Sequence, residues 1–193
     1  MWRSRVCYFF DFALCPPLAI GFARFATMDA VAPNLALAAF WSLAGLAAWT
    51  FIEYWVHRAL FHHAPILRAM HATHHTRPDL LEGSPPAILP FALIIVAGPA
   101  IPAFGAAAYS SLVAGLLTGY LGYSFMHYAA HHLRFGGQGY AARAKRWHML
   151  HHFGPMDRNF GVTSGFWDRA FGTAADVPPA RAAARDHDRG ATA

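Results

Sequence analysis

Charged side chains are scarce. Asp, Glu, Lys and Arg make up 13% of the 193 residues, about half the ~25% usual in soluble domains. The scarcity is uneven: residues 83–133 and residues 30–52 contain none at all. A bilayer crossing needs about 20 apolar residues, so the longer run can supply two crossings and the shorter one. An ordinary water-soluble domain is thereby excluded. Cysteine is nearly absent, and Cys7 and Cys15 lie in an apolar segment with no metal or redox spacing. That rules out a disulfide framework. There is also no Cys-x-x-Cys-His haem attachment, no phosphate-binding glycine loop and no activated Ser or Cys nucleophile. The net charge of +5 is distributed around the apolar runs, which argues against a nucleic-acid partner.

What remains is organised by the membrane. Residues 34–56 form the cleanest expected span, with Asn34 placed to cap it after Pro33. The long uncharged run breaks at "GPAIPAFG", residues 98–105, giving an expected hairpin of 87–103 and 106–126. Residues 6–23 are apolar but carry Asp11 and Pro16-Pro17. They read as a kinked first span, with a cleaved signal peptide as the alternative. Of the 15 Lys and Arg, only Arg24 falls on the side reached after that span, so the other side is expected to be cytoplasmic. An even number of crossings separates residue 56 from residue 126, and both segments emerge on that face. The predicted architecture is all-α: about four membrane helices with a cytoplasmic, helical, histidine-rich cap, in one domain spanning 1–173. Residues 174–193, with His187, read as a disordered tail.

Histidine is the residue in excess. Twelve of the 13 fall in "HRALFHH", "HATHH", "HYAAHH" and "HMLHH". In a helix, residues at i, i+3 and i+4 share a face, so His71, His74 and His75 are expected to converge on one point. The same holds for His148, His151 and His152, while His127 and His131 form an i, i+4 pair. His57 and His62 stand about 140° apart on an ideal helix and converge only if the helix distorts. Buried imidazoles need compensation, and a metal is the natural partner. An octahedral ion takes six ligands, so ten or more imidazoles imply two ions; an all-nitrogen set suits Fe, Zn, Cu or Ni.

The segments "EYWVHRALFHH", "HATHH", "GYLGYSFMHYAAHH" and "KRWHMLHHFGPMDRNFGVTSGFWDRAFGT" together resemble the fatty acid hydroxylase/sterol desaturase superfamily of membrane diiron enzymes. The similarity is greatest to the fatty acid 2-hydroxylase branch and spans residues 53–173, including "RPDLLEGSPP". The resemblance implies His57, His62, His71, His74, His75, His127, His131, His148, His151 and His152 as ligands to two iron ions, with zinc able to occupy such sites in preparations. His63 and His132 stand where that branch has other residues, so they are expected in supporting or spare positions. Glu53, Asp79 and Asp157 are candidate partners for the ligands' free N–H groups, while Asp168 reads as structural.

The implied reaction inserts one atom of O2, the co-substrate, into a C–H bond of a fatty acyl lipid. The second atom leaves as water, with two electrons from outside. Eukaryotic relatives carry a fused haem domain as donor, and nothing here resembles its haem-binding motif. A separate donor is expected, a ferredoxin or a cytochrome with its reductase. The Ala- and Arg-rich composition is that of a GC-rich bacterial genome, which sets the expected location as a bacterial inner membrane. Sterol or carotenoid oxidation is the alternative reaction. A membrane metal transporter or sensor is the alternative from another class, but transporters place ionisable groups deep in their spans. Here residues 87–123 hold only Tyr109, Tyr120 and Tyr123.

Overall fold

The computed structural model describes residues 5–28, 34–81 and 86–175. The expected disordered tail, with His187, lies almost wholly outside them. Among the described residues the fold is all-helical, without strands. The elements are α1 (Arg5–Met28), α2 (Leu35–Trp55), a π-helical segment (Val56–Phe61), α3 (Pro65–Thr76), α4 (Ile88–Val96), α5 (Ala100–Phe104), α6 (Ala106–His132), α7 (Tyr140–Phe153) and α8 (Phe166–Ala170).

Asn34 caps α2 as its sequence predicts, its Oδ1 accepting the Leu37 N–H at 3.0 Å. The helix then passes without interruption into the π segment. The expected 87–103 arm is two short helices, because Gly98 and Pro99 turn the chain after α4 and Gly105, at φ 87°, closes α5. By contrast α6 is continuous, and it carries His127 and His131 on its last turns.

At the centre α6 packs against both α1 and α2. The α2–α6 crossing is close because it is built on glycine. A Cβ on Gly45 would meet the Leu112 carbonyl oxygen, and one on Gly115 the Ser42 carbonyl oxygen. Small residues that let backbones approach are how helices pack in lipid, where apolar area alone gives no drive. Around this contact Cys15, Trp49, Val113 and Leu117 are fully buried. Large apolar side chains instead face outward along α1, α2, α4 and α5, among them Ile20, Phe40, Leu43, Ile95 and Val96. Both α1 and α2 with its π extension are long and apolar enough to cross a membrane.

The charge that interrupts α1 has an assigned place. Asp11 is buried and accepts the Tyr120 hydroxyl at 2.6 Å and the Ala87 N–H at 2.8 Å. It thereby ties α1 to α6 and to the start of α4.

Candidate metal centre

Ten histidines from the π segment and the His62 that follows it, α3, α6 and α7 come together in two sets of five. The first is His57, His62, His71, His75 and His151; the second is His74, His127, His131, His148 and His152. Within each set the candidate ligand atoms lie within 4.8 Å of one another. These are the ten residues singled out from the sequence, but they are partitioned differently. His71, His74 and His75 do not converge on one point, nor do His148, His151 and His152. In each triad the i, i+4 pair, 40° apart around the helix, stays together, while the i+3 histidine, turned 60° the other way, crosses to the other set. The cap helices therefore exchange one histidine each: α3 gives His74 to the second set, and α7 gives His151 to the first.

The π segment resolves the awkward spacing of His57 and His62. Its i→i+5 hydrogen bonding brings residues five apart onto one face, and the two ring centroids lie 5.4 Å apart. The distortion required by the sequence is thus supplied by one widened turn.

The spacing of the nitrogens fits a metal. In the first set, Nε2 of His71 lies 3.0 Å from Nε2 of both His57 and His75, and His62 lies 3.3 Å from His151. In the second, His127 lies 3.0 Å from His74 and His131 lies 2.9 Å from His148, again between Nε2 atoms. Ligands about 2.0–2.1 Å from one ion stand about 2.9 Å apart at right angles and about 3.4 Å apart at tetrahedral angles. Two tautomers are settled by hydrogen bonds on the far side of the ring. Nδ1–H of His57 donates to the Phe160 carbonyl at 2.6 Å and that of His151 to the Arg158 carbonyl at 2.7 Å. Their Nε2 atoms consequently turn lone pairs inward. Burial also keeps the cap imidazoles neutral, holding His74 and His151 down to about 3 and His62 to about 4.

The expected carboxylate partners act differently from expectation. The Nδ1–H groups of His57 and His151 donate to backbone carbonyls, because the chain after α7 folds back over the first set and presents Arg158 and Phe160. Glu53 instead accepts from the Val162 N–H at 2.5 Å, the Thr163 N–H at 2.8 Å and the Thr163 hydroxyl at 2.5 Å. Asp168, fully buried, accepts the Phe160 and Gly161 N–H groups at 2.8 Å each and the Thr173 hydroxyl at 2.8 Å. Asp79 pairs with Arg77 at the surface and Asp157 lies 3.9 Å from Arg158. His63 is exposed, and the His132 ring lies tilted against Tyr128 with centroids 4.8 Å apart. The Phe160 ring packs within 5.4–5.7 Å of His57, His62 and His151.

Histidines of both sets open onto one cavity. His57 and His71 of the first and His74 and His127 of the second line it, opposite Cys7, Tyr8 and Phe12 of α1 and beside Leu67, Met70 and Leu89. Apolar side chains dominate its wall away from the histidines, with Asp11 and Ser124 among the lining residues.

Comparison with known proteins agrees with this geometry. The family model for fatty acid hydroxylase matches residues 42–173. The chain is 35% identical over 149 residues to the ceramide very long chain fatty acid hydroxylase scs7 of Schizosaccharomyces pombe, covering 67% of this chain and 40% of that one. It is 34% identical over 161 residues to the dihydroceramide fatty acyl 2-hydroxylase FAH2 of Arabidopsis thaliana, covering 73% and 62%. Human fatty acid 2-hydroxylase is 30% identical over 154 residues, covering 70% and 39%. The chain thus spans roughly two fifths to three fifths of the length of these relatives. A solved structure of full-length Scs7p, in which only the hydroxylase domain is visible, superposes with a TM-score of 0.76 at 25% identity, over 90% of this chain and 68% of that one. The match takes in all ten clustered histidines and the loop that braces His57 and His151, and the chain belongs to the fatty acid hydroxylase family.

Proposed function

We propose that this protein is a membrane-bound lipid hydroxylase. It uses O2 and two metal ions, held by the two five-histidine sets, to hydroxylate an acyl chain at its 2-position. The observation that carries the reading is that both sets open onto one apolar cavity beside α1. A hydrophobic cavity aligns an inert chain and excludes water, and the imidazoles lie where the chain's C–H bond must arrive. When bound, the metals supply activation of dioxygen, chemistry that no side chain here performs alone. For each turnover one oxygen atom enters the C–H bond, and the other leaves as water after taking up two electrons and two protons. We assign iron as the metal and a separate ferredoxin or cytochrome, with its reductase, as the electron donor. The architecture proposed is four membrane crossings in a bacterial inner membrane, with the histidine face cytoplasmic. The 2-position is carried by the relatives whose names specify it.

The test is lipid analysis of cells expressing the chain with a competent donor. A new 2-hydroxy acyl species that disappears in His148→Ala is the expected result. Hydroxylated sterols or carotenoids without any hydroxy-acyl lipid would overturn the assignment.

A further inference from the structure

The two histidine sets are alike in make-up and unlike in support. Each combines a pair from the end of a long helix, an i, i+4 pair from one cap helix, and a single histidine from the other. Among the described residues, however, only the first set has imidazoles whose Nδ1 is held by protein, through the Phe160 and Arg158 carbonyls. In the second set Nδ1 of His74, His148 and His152 is buried with no protein partner; in the first, His75 shares that condition.

The carbonyls are fixed by an unusually determined loop. Glu53 takes three hydrogen bonds from Val162 and Thr163, and Asp168 grips the Phe160 and Gly161 N–H groups. Gly161 has no room for a Cβ, which would meet the Ser164 carbonyl oxygen. The clamp extends further, since Thr173 bonds both Asp168 and the Tyr54 hydroxyl, which accepts from Arg58 of the π segment.

We infer that Glu53 and Asp168 are positioning residues for one metal site only: through the 158–163 loop they orient His57 and His151, making the first site the more retentive of the two. The inference rests on the proposed dinuclear centre. Hydrogen bonds to a ligand's free N–H fix its tautomer and direction and raise its basicity, and losing such a partner costs about 10–100-fold in metal affinity.

The experiment is metal release from the purified full-length protein in detergent, loaded with two zinc ions and challenged with a chelator. Wild type is expected to release its metals in two phases of equal amplitude. Glu53→Gln sets an amide N–H against donors of the loop, and the slow phase should accelerate about 10-fold or more while the fast phase is unchanged. His152→Ala should remove the fast phase alone. Thr163→Val deletes one hydroxyl donor and keeps the side-chain shape, so it should move the slow phase in the same direction by less; it decides the matter if Glu53→Gln does not fold. A single release rate in wild type would overturn the inference, as would both phases accelerating together or neither moving. A wild-type protein that takes up no more than one ion would instead refute the dinuclear reading beneath it.

Discussion

His74 and His151 are each held down to about 3, and His62 to about 4, first of all because burial strips solvent from the charged ring. Neutral imidazole is the form that ligates a metal, so the same burial that gathers these rings keeps them ready. The cost appears in acid. An unfolded histidine titrates near ~6.5, so below that pH the unfolded chain takes up protons that the folded chain refuses. Stability from these groups is therefore complete above about pH 6.5 and is lost progressively as pH falls towards about 3. For metal-free protein in detergent, the thermal midpoint should drop steadily from pH 6.5 to 4.5. A flat profile in scanning fluorimetry would show that the rings accept protons in place. The ten imidazoles could be read from the sequence because side-chain identity and helical spacing, together with the family resemblance, carry that information. Their hydrogen-bond partners could not, since the carbonyls of Arg158 and Phe160 have no residue signature and depend on where the loop lies. Glu53 was visible as a candidate partner for the ligands, but what it grips was not.

At the level of elements, helix phase decided what sequence spacing left open. An i, i+3, i+4 triad looks like one site when it is drawn alone, yet between two sites it divides by the 100° step of the helix. The five-residue gap from His57 to His62 marked a distortion without naming it, and the π segment is that distortion. Packing of α6 on α2 gives a second test at this scale. Gly115→Ala forces a Cβ against backbone of α2 and should destabilise the protein by about 1–3 kcal/mol. Gly122, on the same helix, has nothing within 4 Å of its missing Cβ. Gly122→Ala should therefore stabilise by about 0.5–1 kcal/mol through reduced backbone entropy. Unfolding titrations in detergent read both, and equal effects from the two substitutions would contradict the close α2–α6 crossing. This contact was not read from the sequence, because the register between two uninterrupted apolar helices is a tertiary property.

For the whole molecule, the described chain repeats a theme. The α2–π–α3 run and the α6–α7 run each supply a long helix ending in a histidine pair, followed by a cap helix with the His-x-x-His-His pattern. Placing both histidine ends on one side of the membrane follows from the proposed even number of crossings between them. In a bacterial host, a phosphatase fused after residue 30 should be active and one fused after residue 80 inactive, with a fluorescent reporter giving the converse. Agreement of the two positions would break that topology. All-helical architecture was legible from the apolar runs and the histidine periodicity, whereas the broken α4–α5 arm was not, because Pro and Gly mark a turn without giving its shape. The exchange of His74 and His151 has a mechanical meaning. Neither half of the chain owns a full set of five, so an ion in either site is a cross-link joining residues as far apart as 57 and 151. Closing a loop of that length by chance costs entropy, and each ion would offset that cost for both halves at once. On the proposed dinuclear reading, metallation would lock the two halves together as well as arm the site.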